Sequence, residues 1–175
     1  MIQKFPRVLV PALAWCLLIV SAAHAQSSGL WTEISDNSLQ QRGVERDIVP
    51  SAYRTFRLDK SSMLSLLDRA PEETSAATQS TITIPMPDGS LGRFRFEHSL
   101  VVEPGLLAKY PELGRTYRAT GIDDPTATAR FDFLPAGFHA IVLSSQGTVM
   151  VDPYMRGDTS NYIIYSKDAA QRTSD

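Results

Sequence analysis

The feature that most constrains the fold is an unbroken alternation of side chains over residues 126–133. Apolar residues occupy every second position, namely Ala127, Ala129, Phe131 and Phe133. Polar residues fill the positions between them, namely Thr126, Thr128, Arg130 and Asp132. Because successive side chains of a β-strand point to opposite faces, this period of two predicts an antiparallel strand with one face in the core. We therefore expect Phe131 and Phe133 to be buried and Thr128 to face outward.

A hairpin and a central strand are predicted directly after this strand. Pro135, Ala136 and Gly137 have the chemistry of a tight turn. Residues 138–143 are apolar on both faces except at His139, which is typical of a strand with neighbours on either side.

The rest of the pattern predicts an α+β domain built mainly on an antiparallel β-sheet. Further alternating or apolar segments, bounded by turn residues, predict strands at 53–58, 81–86, 93–98, 115–120, 148–151 and 161–166. Two short helices are expected, one over residues 60–69 with Asp59 as its N-cap and one beginning at Pro104. About eight strands and two helices suit a sheet that curls into a sandwich or an open barrel.

The 175 residues divide into four segments. Residues 1–25 have the charged start, apolar run and small-residue end of a secretory signal peptide, with cleavage expected between Ala25 and Gln26. The apolar run of about fifteen residues is shorter than the roughly twenty that a membrane span needs. A polar N-terminal arm (26–50), the α+β domain (51–168) and a polar tail (169–175) follow. We expect a secreted or periplasmic protein that has no membrane attachment after cleavage.

Charge and cysteine content narrow the classes of partner and chemistry. Cleavage would leave 15 basic against 19 acidic side chains, so there is no general electrostatic reason to bind nucleic acid or anionic lipid. The one cysteine, Cys16, lies within the predicted signal peptide. The mature protein is therefore expected to lack disulfides and a thiol nucleophile.

The residues do not assemble into a predicted catalytic, metal or cofactor site. Zinc peptidases of the metzincin type need two histidines one helical turn apart, a glutamate and a third histidine. The two histidines of the mature chain, His98 and His139, lie on separate predicted strands and are interpreted as structural. Asp123 and Asp124 favour an Asx-type turn over a calcium site. A basic stripe on one face of the sheet could be formed by Arg93, Arg95 and Arg118. The favoured interpretation is that these outer side chains are solvated or salt-paired.

Three phrases resemble a known family. They are YRTFRLD with the Leu-rich helix after it, TYRATGIDDPTATARFDFLPAGFHA at 116–140, and GTVMVDPYMRGDTSNYIIYSKD at 147–168. This sequence is similar to the amino-terminal, propeptide-like domain of secreted bacterial zinc metalloproteases of the reprolysin-like (metzincin) group. The resemblance covers residues 53–168 and implies a non-catalytic prodomain-like module that assists folding of the protease or inhibits it, with the protease catalytic domain as partner. Because the chain stops at Asp175, it implies a truncated or free-standing copy.

An independent secreted module that binds a protein or ligand is the alternative. An enzyme in its own right is disfavoured, because paired carboxylates and a Ser-His-Asp set cannot be assembled. Candidate partner contacts are Asp123 and Asp124, together with the segments at the domain margins: 72–80, 121–125 and the tail after Lys167.

Overall fold

The computed structural model describes residues 29–40, 46–73, 80–99 and 102–170. The predicted signal peptide and its cleavage site at Ala25 and Gln26 lie outside the described residues. So do the greater part of the 72–80 segment and residues 171–175. Within the described ranges, no helix combines the length and apolarity needed to cross a membrane.

The described chain forms nine strands and three short α-helices. The strands are β1 (Trp31–Glu33), β2 (Arg54–Leu58), β3 (Ser80–Pro85), β4 (Leu91–His98), β5 (Thr116–Gly121), β6 (Thr128–Leu134), β7 (Gly137–Ser144), β8 (Gly147–Pro153) and β9 (Asn161–Ser166). The α-helices are α1 (Asn37–Gln40), α2 (Lys60–Leu67) and α3 (Pro104–Lys109). Two 3-10 turns cover Pro111–Gly114 and Lys167–Ala169.

All nine strands belong to one antiparallel sheet in the order β1-β2-β9-β8-β7-β6-β5-β4-β3. The sheet curls into a nearly closed barrel. The predicted α+β class with a mainly antiparallel sheet is confirmed. The described part has nine strands instead of about eight, because β1 lies within the segment that we predicted to be a polar arm. β7, predicted to be central, is the middle strand of the nine.

Side chains join the two edges of the barrel. The indole Nε1 of Trp31 on β1 donates to the carbonyl oxygen of Thr83 on β3 at 2.9 Å. Arg54 Nε on β2 donates to the carbonyl oxygen of Pro87 at 3.1 Å, and its guanidinium also forms an ion pair with Glu33. The seam between β1 and β3 is therefore bridged by side-chain donors where the backbone ladder stops.

Aromatic side chains fill the barrel. Phe131 is 3% exposed and Phe133 is 5% exposed, whereas Thr128 faces outward, as the alternation predicts. Helix α2 contributes to the same core through Met63 and Leu67, which are fully buried. The interior side chains are Trp31, Phe56, Leu58, Ile82, Ile84, Phe94, Phe96, Tyr117, Ala119, Ala129, Phe131, Phe133, Phe138, Ala140, Val142, Val151, Tyr162 and Ile164.

The N-cap prediction for α2 is confirmed, although the helix ends two residues earlier than predicted. Asp59 accepts a hydrogen bond from the backbone N–H of Ser62 at 3.1 Å, and the hydroxyl of Ser61 donates to the same carboxylate at 2.6 Å. These bonds to the ionised form lower the pKa of Asp59 to about 2. Such a cap satisfies a backbone donor in the first turn and fixes where the helix begins.

A second apolar cluster covers the outside of the barrel at β9. Leu39 of α1 is buried against Ile163 and Tyr165, which point outward from β9, and against Tyr154. The described part of the N-terminal arm is thus packed on the sheet. As a result β9 is buried on both faces.

Candidate functional site

The predicted acidic corner connects β5 to β6. Asp124 Oδ1 accepts hydrogen bonds from the backbone N–H of Thr126 at 2.9 Å and from its hydroxyl at 2.6 Å, which is the geometry of an Asx turn. Asp123 pairs with the guanidinium of Arg93 at 2.5 Å. Bonds from Thr126 and Arg93 lower the pKa of Asp124 and Asp123 respectively. Both carboxylates therefore hold the corner, and their role as partner contacts stays a prediction.

Gly121 allows this corner to form. A Cβ at this position would lie 2.1 Å from the backbone oxygen of Asp124 and 3.2 Å from Cβ of Ala127. The backbone N–H of Gly121 donates to the carbonyl of Ala127 at 2.9 Å, which draws the two sides of the corner together. No side chain fits in that space, so the sequence requires glycine.

The two histidines point to opposite faces of the sheet. His98 lies on the interior side of β4, with its ring centroid 4.8 Å from that of Tyr117, whose pKa is raised by burial to about 12. His139 points outward from β7, and its Nδ1 lies 3.3 Å from Asp132 Oδ1. The side-chain hydrogen bond with Asp132 raises the pKa of His139. Within the described chain, no group of three or more His, Cys, Asp or Glu side chains is placed to hold a metal ion.

A groove that the sequence did not reveal lies on the outer face of β4 to β7. Its volume is about 580 Å³. A second hollow of about 380 Å³ shares Arg130 and Ile141 with it and continues toward His139. We name the first hollow the arginine groove; its outward-facing side chains are Arg95, Glu97, Arg118, Thr120, Thr128, Arg130, Ile141 and Leu143.

Strand register places these side chains in two rows that cross the sheet. One row runs in the order Glu97, Arg118, Arg130, Ile141. The row beside it runs in the order Arg95, Thr120, Thr128, Leu143. The groove therefore has a basic half over β4 to β6 and an aliphatic half over β7. The short side chains of Thr120 and Thr128 lie between the two halves.

Two of the three groove arginines have no carboxylate partner among the residues described. Arg118 is held by Glu97 at 2.6 Å and by Glu73 at 2.5 Å, and its pKa is raised chiefly by the hydrogen bond to Glu97. Arg130 donates to the hydroxyl of Ser99 at 3.3 Å, and Arg95 has no ion pair there. The basic half thus keeps two uncompensated guanidinium groups.

The aliphatic half exposes apolar surface on the middle strand. Leu143 is 49% exposed, and Ile141 beside it is half-buried. Apolar side chains at the centre of a sheet usually pack against a covering element, as Ile163 does against Leu39. Leu143 is one of the few large apolar side chains that the described chain leaves exposed, with Val49, Leu106 and Tyr110.

The sequence indicated part of this surface. Of the outward arginines, Arg93 and Arg118 are salt-paired, and Arg95 is exposed without an ion pair to any described residue; all three agree with the prediction of solvated or salt-paired side chains. Arg130 joins them because β6 lies beside β5, with Arg118 directly opposite Arg130. The sequence pattern that could have revealed the groove was the position of Arg130. The alternation places Arg130 on the outer face of β6, next to the exposed aliphatic side chains of β7.

No protein-family model matches the chain, and neither the curated proteins nor the solved structures contain a significant match. The resemblance to reprolysin-like propeptide domains accordingly stays a prediction.

Proposed function

We propose that this chain is a secreted, non-catalytic binding module whose contact surface is the arginine groove. Its partner is the catalytic domain of a reprolysin-like zinc metalloprotease, which it helps to fold or holds inactive. The observation that carries the binding role is a groove with unpaired Arg95 and Arg130 beside the exposed Leu143. The sequence resemblance over residues 53–168 supports the choice of partner.

The construction of the barrel favours binding on its outer face. The interior is filled by packed aromatic rings such as Phe131, Phe138 and Trp31. Side chains on paired strands are held in fixed relative positions, which lowers the entropy lost when a partner docks. Arginine is enriched in protein–protein interfaces, and burial of exposed aliphatic surface such as that of Leu143 stabilises a complex.

Two of the predicted contact segments border this groove. Glu73, at the described end of the 72–80 segment, bonds Arg118 on the groove wall. Asp123, in the 121–125 corner, bonds Arg93, which shares the outer face of β4 with Arg95. A protease docked on the groove would therefore also meet these margins. Inhibition would come from covering the substrate cleft, because the expected mature chain offers no thiol to the zinc.

The direct test mixes the mature protein, starting at Gln26, with the purified catalytic domain of a reprolysin-like protease from the same organism. We expect binding and slower peptide hydrolysis at about 10 μM, a concentration that detects modest interfaces. Replacing Arg95 and Arg130 together with glutamate should weaken binding at least about tenfold, since each change reverses a charge at the contact. Arg57→Glu, on the outer face of β2, is the matched control and should change little.

Absence of binding at this concentration would refute the protease as partner. An independent secreted binding module is the second candidate, because the groove exists whether or not a protease uses it. That candidate would gain support from a ligand whose binding is lost in the same double variant and kept in Arg57→Glu.

A further inference from the structure

We infer that the arginine groove takes an extended acidic segment of a partner protein, with carboxylates over Arg95 and Arg130 and an aliphatic side chain over Leu143. This inference rests on the proposed function only in using the same surface. It specifies the chemistry of what that surface recognises.

The charges within the groove are the first reason to expect an acidic ligand. Arg118 and Arg130 lie directly opposite each other on β5 and β6, where the Cβ atoms of paired residues are about 5 Å apart and like charges repel. Glu97 and Glu73 compensate Arg118, so the unbalanced charge rests on Arg130 and on Arg95. Carboxylates from outside would pair with these two guanidinium groups, and such charge-assisted bonds are the stronger kind.

The spacing of the two arginines suits an extended chain. Arg95 and Arg130 are two strands apart across the sheet and two residues apart along it. With strands about 4.8 Å apart and a rise of about 3.4 Å per residue, their Cα atoms are separated by about 12 Å. Carboxylates four residues apart on an extended segment point to the same side and are separated by about 14 Å. The flexible arginine side chains can close the remaining difference.

The aliphatic half selects a polypeptide over a lipid. Ile141 and Leu143 form a small apolar area beside the charges, matched in size to one or two aliphatic side chains. An acyl chain is bound in enclosed, largely apolar cavities, whereas this groove lies open across four strands. The hydroxyls of Thr120 and Thr128 on the floor can exchange hydrogen bonds with a peptide backbone.

The test uses a fluorescein-labelled nonapeptide of sequence Ser-Glu-Ser-Leu-Ser-Glu-Ser-Leu-Ser, whose glutamates and leucines share one face when the chain is extended. It is mixed with the mature protein from Gln26, and fluorescence polarisation is the readout. We expect saturable binding that weakens between about 50 and 300 mM salt, because the Debye length shortens over that range. The matched peptide with glutamine in place of glutamate should bind at least about tenfold more weakly, and the lysine peptide should bind more weakly still.

Variants of the protein locate the site. Arg95→Gln and Arg130→Gln should each weaken binding of the glutamate peptide about fivefold or more, and Leu143→Ser should weaken it by a similar factor. Arg57→Gln is the control and should leave binding unchanged. Three outcomes would overturn the inference. The glutamate and glutamine peptides could bind equally well, or Arg57→Gln could weaken binding as much as the groove variants do. Oleate could also displace the labelled peptide at a lower concentration than the unlabelled glutamate peptide does.

The two proposals fail separately. Peptide binding that depends on Arg95 and Arg130, without binding of the protease domain, would keep the acidic-segment inference and reject the protease partner. Inhibition of the protease that persists in the Arg95 and Arg130 variants would keep the partner and reject the groove as its acidic-segment site.

Discussion

Phe131 occupies the centre of the aromatic interior, and its truncation offers the sharpest test of the core. The Phe131 ring centroid lies 5.1 Å from that of Tyr117 in a stacked pair, and 5.6 Å from those of both Phe96 and Phe138. These neighbours come from β4, β5 and β7, on both sides of β6. Phe131→Ala would therefore leave a cavity whose walls belong to four hydrogen-bonded strands.

The expected loss of unfolding free energy follows from this environment. Truncating a buried phenylalanine costs about 3–5 kcal/mol, and aromatic pairs contribute about 0.5–1.5 kcal/mol each beyond buried area. Phe131→Ala should fall near the upper end, because the strand ladder limits how far the cavity can collapse. Phe133 has a more distant aromatic neighbour, Phe138 at 6.5 Å, and a contact with the ammonium group of Lys60 at 5.9 Å from the ring centroid, so its truncation should fall near the lower end. Thr128→Ala, on the opposite face of the same strand, should cost under about 1 kcal/mol.

Urea unfolding followed by tryptophan fluorescence measures these differences. Trp31 packs edge-on against Phe138, 5.6 Å between centroids, so its emission reports the same core. The denaturant midpoints should fall in the order Thr128→Ala, Phe133→Ala, Phe131→Ala, with an unchanged slope. A Phe131→Ala midpoint at or above that of Thr128→Ala would refute the assignment of the two faces of β6.

Further changes test the corner, the outer face and the seam. Gly121→Ala should cost about 1–3 kcal/mol by overpacking the corner, whereas Gly105→Ala, on α3, should be neutral or slightly stabilising in the same urea titration. The raised pKa of His139 means that its pair with Asp132 stabilises the fold fully below about pH 6 and loses that contribution as pH rises through the raised pKa. His139→Gln should therefore remove this pH dependence, which we expect to stay within about 1 kcal/mol because the pair is partly exposed. Trp31→Phe should cost about 1–3 kcal/mol, because it leaves a carbonyl of β3 without its bond across the seam. Since this change removes the tryptophan probe, its urea titration is followed by circular dichroism.

Strands β2 to β9 were predictable because each is an alternating or apolar segment bounded by turn residues. The alternation in residues 126–133 gave the face of every side chain of β6, and the Pro135 to Gly137 turn fixed the hairpin to β7. Asp59 marked the start of α2 because an N-cap acts within one helical turn. These features depend on neighbours in sequence, so the sequence is sufficient to predict them.

The first strand was missed because it has no local period. β1 contains three residues, and one of them, Trp31, is buried. Its position depends on pairing with β2 and on the indole bond to β3, which is 52 residues further along the chain. A tertiary contact at that separation leaves no repeating signal in the sequence. The nearly closed barrel follows from the same contacts.

The groove was missed for a related reason, since it depends on strand register. The alternation of side chains assigns Arg95, Arg118 and Arg130 to the outer face. It does not predict which of these arginines has a carboxylate opposite it on the neighbouring strand. In the structure the β4–β5 register places Glu97 directly beside Arg118. A shift of this register by two residues would preserve every inward and outward position and would change which arginine is left unpaired.

The outer faces of β7 and β9 differ in how their apolar side chains are covered, and this difference favours the proposed partner segment on the groove. Both strands lie within the sheet, with a neighbour on either side, and both carry apolar side chains outward. On β9 the N-terminal arm covers this surface with Leu39, so that Ile163 is fully buried. On β7 Leu143 stays half exposed beside guanidinium groups that the described chain leaves uncompensated. A separate acidic and aliphatic segment would supply on β7 the burial that the arm supplies on β9, and it would add the missing negative charge.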